Sequence, residues 1–190
     1  MKIRADEESE ETYNDINAVG RVIYFFTGVN LASVSQLIRY IDNLESKSKA
    51  PISILMSSGG GLCNSGLAAY DRIRRSKCEI TTIATGLVGS MGLIIFLAGD
   101  RRYMTENAVL LNHPPEDHET GGRVSFLRNE FVELDRIQSR MVGIISEATG
   151  LSEKRLRDDV KEGNYYITPD QAVKEGYIDQ IVRNQPRIKK

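Results

Sequence analysis

"GLVGSMGLIIFLAG", from Gly86 to Gly99, is the stretch of this sequence that decides the fold, because two structural patterns meet inside it. The residues just before it, from Glu79 to Ala84, are rich in β-branched side chains, and those after Ser90 form an apolar run compatible with a helix. The simplest interpretation is that Ser90 is the N-cap of a buried helix. The alternative is that the Ser90 hydroxyl, beside Met91 and between two glycines, is a nucleophile at a tight strand-to-helix turn.

Short β-type runs alternate with helical patterns on both sides of that junction. Apolar residues recur at helical spacing between Leu31 and Leu44, and a second helical segment runs from Leu62 to Arg75. The runs that favour strands are "RVIYFFTG" (21–28), "PISILM" (51–56), "EITTIA" (79–84) and "NAVLLNH" (107–113). This order predicts an α/β fold with a parallel sheet and right-handed crossovers, whose active site lies at the carboxyl ends of the strands. Three loops would meet there: "SSGGG" (57–61), "GLVGSMG" (86–92) and "NHPPE" (112–116).

The second half of the sequence is mostly helical. We expect a long helix from about Val124 to Ala148, a short one over 152–160, and a third in "TPDQAVKEG" (168–176). In the third, Thr168 is the expected N-cap and Gln171 completes a capping box. A last strand is expected in "YIDQIV" (177–182), and no internal repeat or linker divides the chain. We therefore expect a single domain.

Composition and charge exclude several classes of function. A net charge of −1 argues against a nucleic-acid surface, which needs concentrated Lys and Arg. Cys63 and Cys78 form no CxxC pair, and two histidines are too few for a Cys/His zinc cluster, so we expect free thiols and no metal. The longest apolar stretch is too short to span a bilayer, and no signal peptide is evident, which predicts a cytoplasmic location without a membrane partner.

Two histidines are available as the base that a nucleophilic serine requires. His113 ends a predicted strand, and Pro114 disfavours helical geometry for it, which would hold the imidazole at the sheet edge beside the Ser90 loop. A strand-end histidine is also common as a purely structural residue. His118 lies in a polar loop and is most simply a solvated surface residue.

Two groups of backbone N–H donors could stabilise the oxyanion that forms on attack. One is the N–H of Met91, directly after the proposed nucleophile. The other is the glycine run Gly59, Gly60 and Gly61, whose missing side chains would let the backbone approach a substrate closely. Taken alone, that run is also typical of a simple tight turn.

The order of these motifs on alternating strands and helices resembles the proteolytic subunits of the Clp protease (ClpP), which are serine peptidases of the ClpP/crotonase fold. The resemblance covers about Val19 to Val182. "SSGGGLCNSGLAAYD" is similar to the family's Ser-Pro-Gly-Gly turn and helix, and "VGSMGLIIFLAG" to its nucleophile segment; "RRYMTENAVLLNHPP" is similar to its histidine segment, and "ITPDQAVKEGYID" to its closing helix and strand. The implied fold is a repeated ββα/βαβ superhelix with a parallel sheet and a protruding long helix.

The resemblance also implies a role for each candidate residue. Ser90 would be the nucleophile and His113 the general base, and the N–H groups of Gly60 and Met91 would form the oxyanion hole, with Gly59 and Gly61 beside them.

The third triad residue, normally Asp in the family, is Asn164 in "KEGNYYIT". The spacing fits the family pattern, because His113 lies 23 residues after Ser90 and Asn164 lies 51 residues after His113. The resemblance therefore implies a Ser-His-Asn triad. Asp158 and Asp159, a few residues earlier, are alternative carboxylates, although on a helix they are more simply solvated.

The implied activity is hydrolysis of peptide bonds in unfolded polypeptides or short peptides through an acyl-enzyme. No metal or organic cofactor is implied, and ATP would be used only by an AAA+ unfoldase partner. The family implies a homo-oligomer of stacked, commonly heptameric rings, in the cytoplasm or in an organellar stroma or matrix. The peptidase domain would span 19–183, between a mobile acidic segment at 1–18 and a basic tail at 184–190.

Two alternatives stay open. The chain could be a catalytically weak or inactive ring subunit, because Asn164 replaces the acid of the triad. It could also be a crotonase-type acyl-CoA enzyme, which shares the fold but normally lacks a serine nucleophile followed by a histidine.

Overall fold

The computed structural model describes residues 16–115 and 124–183 of the chain. The elements in chain order are β1 (Asn17–Val19), β2 (Val22–Phe25), α1 (Leu31–Lys47), β3 (Ile52–Ser58), α2 (Cys63–Arg74), β4 (Ile80–Gly89), α3 (Met91–Leu97), β5 (Arg101–Thr105), β6 (Val109–Asn112), α4 (Val124–Thr149), α5 (Glu153–Asp159), β7 (Tyr165–Ile167), α6 (Pro169–Lys174) and β8 (Gln180–Val182).

The strands form one eight-stranded sheet in the order β1-β2-β3-β4-β5-β8, with β6 paired to β4 and β7 paired to β6. The pairs from β2 to β5, the β4–β6 pair and the β5–β8 pair are parallel, whereas β1–β2 and β6–β7 are antiparallel. The predicted α/β fold with a parallel sheet is confirmed. The antiparallel pairs place the segment that contains β7 against the end of β6.

Strand β4 is the branch point of the sheet, because its first half pairs with β5 and its second half with β6. The two halves are separated by an irregularity in the register: Met56 of β3 pairs with Ala84, but Ser58 pairs with Val88. Gly86 lies in this bulge with a φ of +63°, a conformation that favours glycine. The bulge extends β4 beyond the predicted end at Ala84 and directs it towards β6.

The predicted helices are confirmed, and their sequences explain their positions. Helix α1 buries one apolar stripe, which includes Val34, Leu37 and Ile41, against the sheet. Every residue of α3 is buried, as expected for a helix that is apolar on all sides. In α6 the Thr168 side chain accepts the N–H of Gln171 and the Gln171 side chain accepts the N–H of Thr168, which is the predicted capping box.

Three strands, β1, β5 and β7, were not predicted. Each has three to five residues, and its hydrogen bonds are made to a strand elsewhere in the sheet. Segments this short carry too few residues for a period-two pattern to stand out.

Helix α4 extends away from the sheet at its amino-terminal end. Phe131 is 69% exposed and Val132 is 66% exposed, whereas Met141 and Ile145, about three and four turns later, are buried. The protruding long helix that the resemblance implies is therefore present. Its exposed apolar residues are of the kind that another subunit covers.

Some expectations fall outside the part of the chain that the structure describes: His118, the tail at 184–190 and the acidic segment at 1–18 apart from its last three residues. Of those three, Ile16 is buried and Asn17 begins β1. Among the helices described, none combines the length and the apolar character needed to cross a membrane. Over the same residues, no three His, Cys, Asp or Glu side chains are grouped in a way that could hold a metal ion.

Candidate active site

Ser90 occupies the turn between β4 and α3 in a strained conformation. Its φ of 53° and ψ of −127° make it the only non-glycine residue with positive φ in the described part of the chain. The Ser90 N–H donates to the Leu111 carbonyl oxygen at 3.0 Å, and the Ser90 carbonyl oxygen accepts the N–H of Leu93 at 3.0 Å. The turn is thus held by β6 on one side and by α3 on the other. Such strain at a strand-to-helix turn is typical of an exposed nucleophile.

The N-cap interpretation of Ser90 is wrong. Ser90 stands at the N-cap position of α3, but its side chain makes no capping hydrogen bond to the helix. Ser90 instead lines a cleft of about 500 Å³, which His113 also lines. The strained turn therefore places Ser90 in the wall of a cleft shared with His113.

His113 follows the end of β6, and its ring lies half-buried in the same cleft. Its Nδ1 is 2.7 Å from the carbonyl oxygen of Pro114. Because a carbonyl oxygen can only accept, this hydrogen bond assigns a proton to Nδ1, and the neutral ring then carries its lone pair on Nε2. That is the tautomer a general base needs towards a serine.

Gly60 and Met91 are brought together at the Ser90 turn. A Cβ atom built on Gly60 would lie 2.5 Å from Ser90 Cβ and 3.0 Å from the Met91 backbone nitrogen, and the φ of Gly60 is +102°. The Gly60 carbonyl accepts the Val29 N–H at 2.7 Å, which fixes the glycine run against the segment before α1. The two N–H groups implied as the oxyanion hole therefore belong to segments in direct contact.

The Gly60 N–H has a partner in this structure, since it donates to Ser58 Oγ at 3.3 Å. This bond is longer than the usual range for N–H···O bonds, so a charged oxyanion competes well for the same donor. Gly59 and Gly61 line the cleft on either side. A Cβ on Gly59 would meet nothing within 4 Å, whereas one on Gly61 would overlap the Val29 carbonyl oxygen.

Asn164 lies one residue before β7, and its side chain is exposed. Antiparallel pairing of β6 with β7 aligns Asn112 with Tyr165, and His113 and Asn164 are the residues next to this last pair, just beyond the paired strands. The hydrogen bond from His113 Nδ1 to the Pro114 carbonyl was not predicted from the sequence. The resemblance implied Asn164 as the triad partner of His113. The role of Asn164 in the triad stays a prediction.

The two alternative carboxylates are engaged elsewhere. Asp158 accepts a hydrogen bond from Lys154 at 2.9 Å, and this contact lowers the Asp158 pKa. Asp159 forms an ion pair with Arg155 at 2.5 Å through Oδ1. Both pairs lie along α5 at a spacing of four residues, as is common on helix surfaces. Asp158 is exposed, which favours the solvated interpretation for it. The Asp159 side chain is only 11% exposed, and its Oδ2 is buried without a hydrogen-bond partner among the described residues, so the solvated interpretation does not hold for Asp159.

The rest of the cleft wall was not predicted as part of the site. It is formed by Val29, Leu62, Cys63 and Pro115. Burial raises the pKa of the Cys63 thiol, which keeps it protonated and unreactive at neutral pH. The signal that could have indicated Leu62, Cys63 and Pro115 is their position beside the glycine run and beside His113 in the sequence. Val29 carries no such signal, because only the folded chain brings it against Gly61. The volume of a cavity does not identify this site. A larger groove of about 760 Å³ lies along β8, and none of the residues that line the Ser90 cleft belongs to it.

Comparison with known proteins agrees with this geometry. The family model described as Clp protease matches residues 5–185. The ATP-dependent Clp protease proteolytic subunit of Mesostigma viride is 32% identical over 187 residues, which cover 95% of this chain and 81% of that protein. The subunit of the same description from Chlorokybus atmophyticus is 31% identical over 185 residues, covering 94% of this chain and 81% of that protein.

A solved structure supports the same assignment. It is an Asn-to-Asp mutant of ClpP1 from Listeria monocytogenes, with a TM-score of 0.79 and 26% sequence identity, and the match covers 87% of this chain and 92% of that one. The family match spans nearly the whole sequence, and the chain therefore belongs to the Clp protease family.

Proposed function

We propose that the chain is a serine endopeptidase, the proteolytic subunit of a Clp-type protease, that cleaves unfolded polypeptides through an acyl-enzyme. The observation that carries the proposal is the strained Ser90 turn, together with the cleft that Ser90 and His113 both line. The contact between Gly60 and Met91 at the same turn supports the oxyanion-hole assignment.

The proposed mechanism uses the Nδ1-protonated tautomer of His113, which the hydrogen bond to the Pro114 carbonyl supports. In the first step Ser90 Oγ attacks the carbonyl carbon of the scissile bond while His113 Nε2 takes the hydroxyl proton. The negative charge that develops on the carbonyl oxygen is stabilised by the Gly60 and Met91 N–H groups. His113 then gives its proton to the leaving amine. Water attacks the acyl-enzyme by the same route, and Ser90 recovers its proton.

Nδ1 of the imidazolium that forms during attack faces a neutral oxygen, the carbonyl of Pro114. The Pro114 carbonyl accepts the Nδ1 proton and holds the ring in the required tautomer, but it carries no negative charge. We propose that Asn164 adds the oxygen of its amide on the same side, as in Ser-His-Asn and Cys-His-Asn arrangements. The geometry is then kept and the charge is lost, so turnover is low rather than absent.

We propose further that the active form is a homo-oligomer of stacked rings, which works with an ATP-dependent unfoldase in the cytoplasm or in an organelle. The relatives are named as ATP-dependent proteolytic subunits, and the exposed Phe131 and Val132 on α4 are suited to burial against a second copy. No metal or organic cofactor takes part in this scheme, and ATP acts only through the partner.

The proposal is tested with the purified protein, a fluorogenic peptide and a fluorophosphonate probe. We expect Ser90→Ala to abolish both cleavage and labelling and His113→Ala to abolish cleavage, since the members of a nucleophile–base pair fail together. The exposed Ser46→Ala and the His118→Ala variants are the controls, and both should retain activity. Light scattering gives the oligomeric state of each variant.

Two results would exclude the peptidase. A well-folded oligomer that neither cleaves the peptide nor reacts with the probe would indicate an inactive ring subunit. Tight binding of an acyl-CoA without labelling would indicate a crotonase-type enzyme.

A further inference from the structure

Gly66 lies inside α2, in direct contact with Met91. It is buried, and a Cβ atom built on it would lie 2.5 Å from Met91 Cε and 3.0 Å from Met91 Cβ. Carbon atoms in ordinary contact are about 3.5 to 4.0 Å apart. The Met91 side chain, itself fully buried, therefore fills the space that any side chain at position 66 would need.

The backbone gives no reason for a glycine at this position. Gly66 is not among the glycines with positive φ, and it lies within the regular helix Cys63–Arg74. Alanine is the better helix former at such a position, so an interior glycine has a cost for the helix. What the missing side chain provides is the close approach of α2 to the start of α3.

Met91 is held at one end by the glycine run before α2 and at the other by α2 itself. Its backbone nitrogen lies against Gly60, and its side chain lies against Gly66. The Gly66 N–H donates to the Leu62 carbonyl at 3.0 Å, so Gly66 is fixed in the first turn of α2, which directly follows the glycine run. A shift of Met91 away from Gly66 would also shift its N–H relative to Gly60.

We propose that Gly66 is a positioning residue for the oxyanion hole: by seating the Met91 side chain, it sets the distance between the Gly60 and Met91 N–H donors. This inference rests on the proposed function, because it concerns the oxyanion hole of the same site. The new element is that a residue of α2, which touches no reacting atom, sets the geometry of the oxyanion hole.

The test is Gly66→Ala, with steady-state kinetics on the fluorogenic peptide. We expect kcat to fall by about 10- to 100-fold with KM changed by less than about threefold, because the donors act mainly on the transition state. Gly143→Ala is the matched control: Gly143 is also a glycine inside a helix, α4, but a Cβ on it would meet nothing within 4 Å. Its kcat should equal that of the wild type.

A second change on the other side of the contact separates positioning from general loss of stability. Met91→Ala removes Cε, the atom that a methyl group at position 66 would approach to 2.5 Å, together with Cγ at 3.4 Å. It keeps the backbone N–H and the Cβ atom at 3.0 Å, a contact that a shift of a few tenths of an ångström relieves. In the Met91→Ala background, Gly66→Ala should therefore change kcat by less than about threefold, and the double variant should turn over faster than Gly66→Ala alone. If Gly66→Ala alone does not fold, the comparison of the double variant with Met91→Ala still decides the matter.

Three results would overturn the inference while leaving the peptidase intact: wild-type kcat in Gly66→Ala, an equal loss in Gly143→Ala, or a large loss when Gly66→Ala is added to Met91→Ala. Cleavage that survives Ser90→Ala would instead overturn the proposed function, and this inference with it.

Discussion

Replacing Gly60 by alanine should separate the catalytic role of the glycine run from its role in the turn. The new Cβ would lie 2.5 Å from Ser90 Cβ and 2.9 Å from the Gly89 carbonyl oxygen. Since carbon atoms in contact need about 3.5 Å, the two segments must separate by roughly 1 Å. A misplacement of about 1 Å at a reacting centre costs on the order of 10² in rate, and loss of one oxyanion donor costs about 10² to 10³.

Stability should fall as well, because the φ of Gly60 is +102°, a value that residues other than glycine rarely adopt. Forcing alanine into such a conformation costs about 1 to 3 kcal/mol. The assay is kcat on the fluorogenic peptide, together with thermal unfolding and the oligomeric state. We expect kcat to fall by at least about 100-fold and the protein to remain folded at 25 °C.

Gly59→Ala is the control at the neighbouring position. A Cβ on Gly59 would meet nothing within 4 Å, and its φ is not in the positive range, so kcat should stay within about twofold and stability within about 0.5 kcal/mol. Wild-type kcat in Gly60→Ala, or an equal loss in Gly59→Ala, would refute the assignment of Gly60 to the oxyanion hole.

Two further predictions concern charge. Asn164→Asp should raise kcat at neutral pH by on the order of tenfold or more, because a carboxylate stabilises the His113 imidazolium that an amide only orients; no gain here, with a collapse of activity in Asp159→Ala, would assign the third triad position to Asp159. Burial raises the pKa of Glu45, but hydrogen bonds from Arg72 and Ser76 outweigh it and lower this pKa from 4.5 to about 2. The stability that ionised Glu45 contributes is therefore complete above its ordinary pKa and is lost as the pH falls from 4.5 towards 2. The difference in melting temperature between wild type and Glu45→Gln should shrink over that range, and a constant difference would contradict the assignment.

The sequence predicted those parts of the fold that depend on neighbouring residues. The capping box of α6 joins Thr168 to Gln171, only three residues apart, and the apolar stripe of α1 repeats within a single helix. Such features are set by local spacing, which a sequence displays directly. The short strands β1, β5 and β7 carry no such signal, because three to five residues are too few for a period-two pattern to stand out. The partner of β7 is also distant in the chain, since β7 pairs with β6.

The candidate site also has features that the sequence shows and features that only the folded chain shows. The order of the glycine run, Ser90 and His113 could be read from the sequence, and it suggested both the chemistry and the family. It could not decide whether Ser90 caps a helix or faces a cleft, because that choice depends on a φ of 53° and on the hydrogen bond from Ser90 to Leu111. The carbonyl partner of His113 Nδ1 had no signal in the sequence, since every residue offers a backbone carbonyl.

By itself the sequence determined the alternation of strands and helices, the helix ends and the identity of the reactive side chains. Only the tertiary structure decided which of these meet. The β6–β7 register pairs Asn112 with Tyr165, the residues next to His113 and Asn164, and the packing of α2 on α3 seats Met91 between Gly60 and Gly66. Both arrangements arise from contacts between segments far apart in the chain, whose formation depends on close packing and on strand pairing rather than on the residues adjacent in sequence.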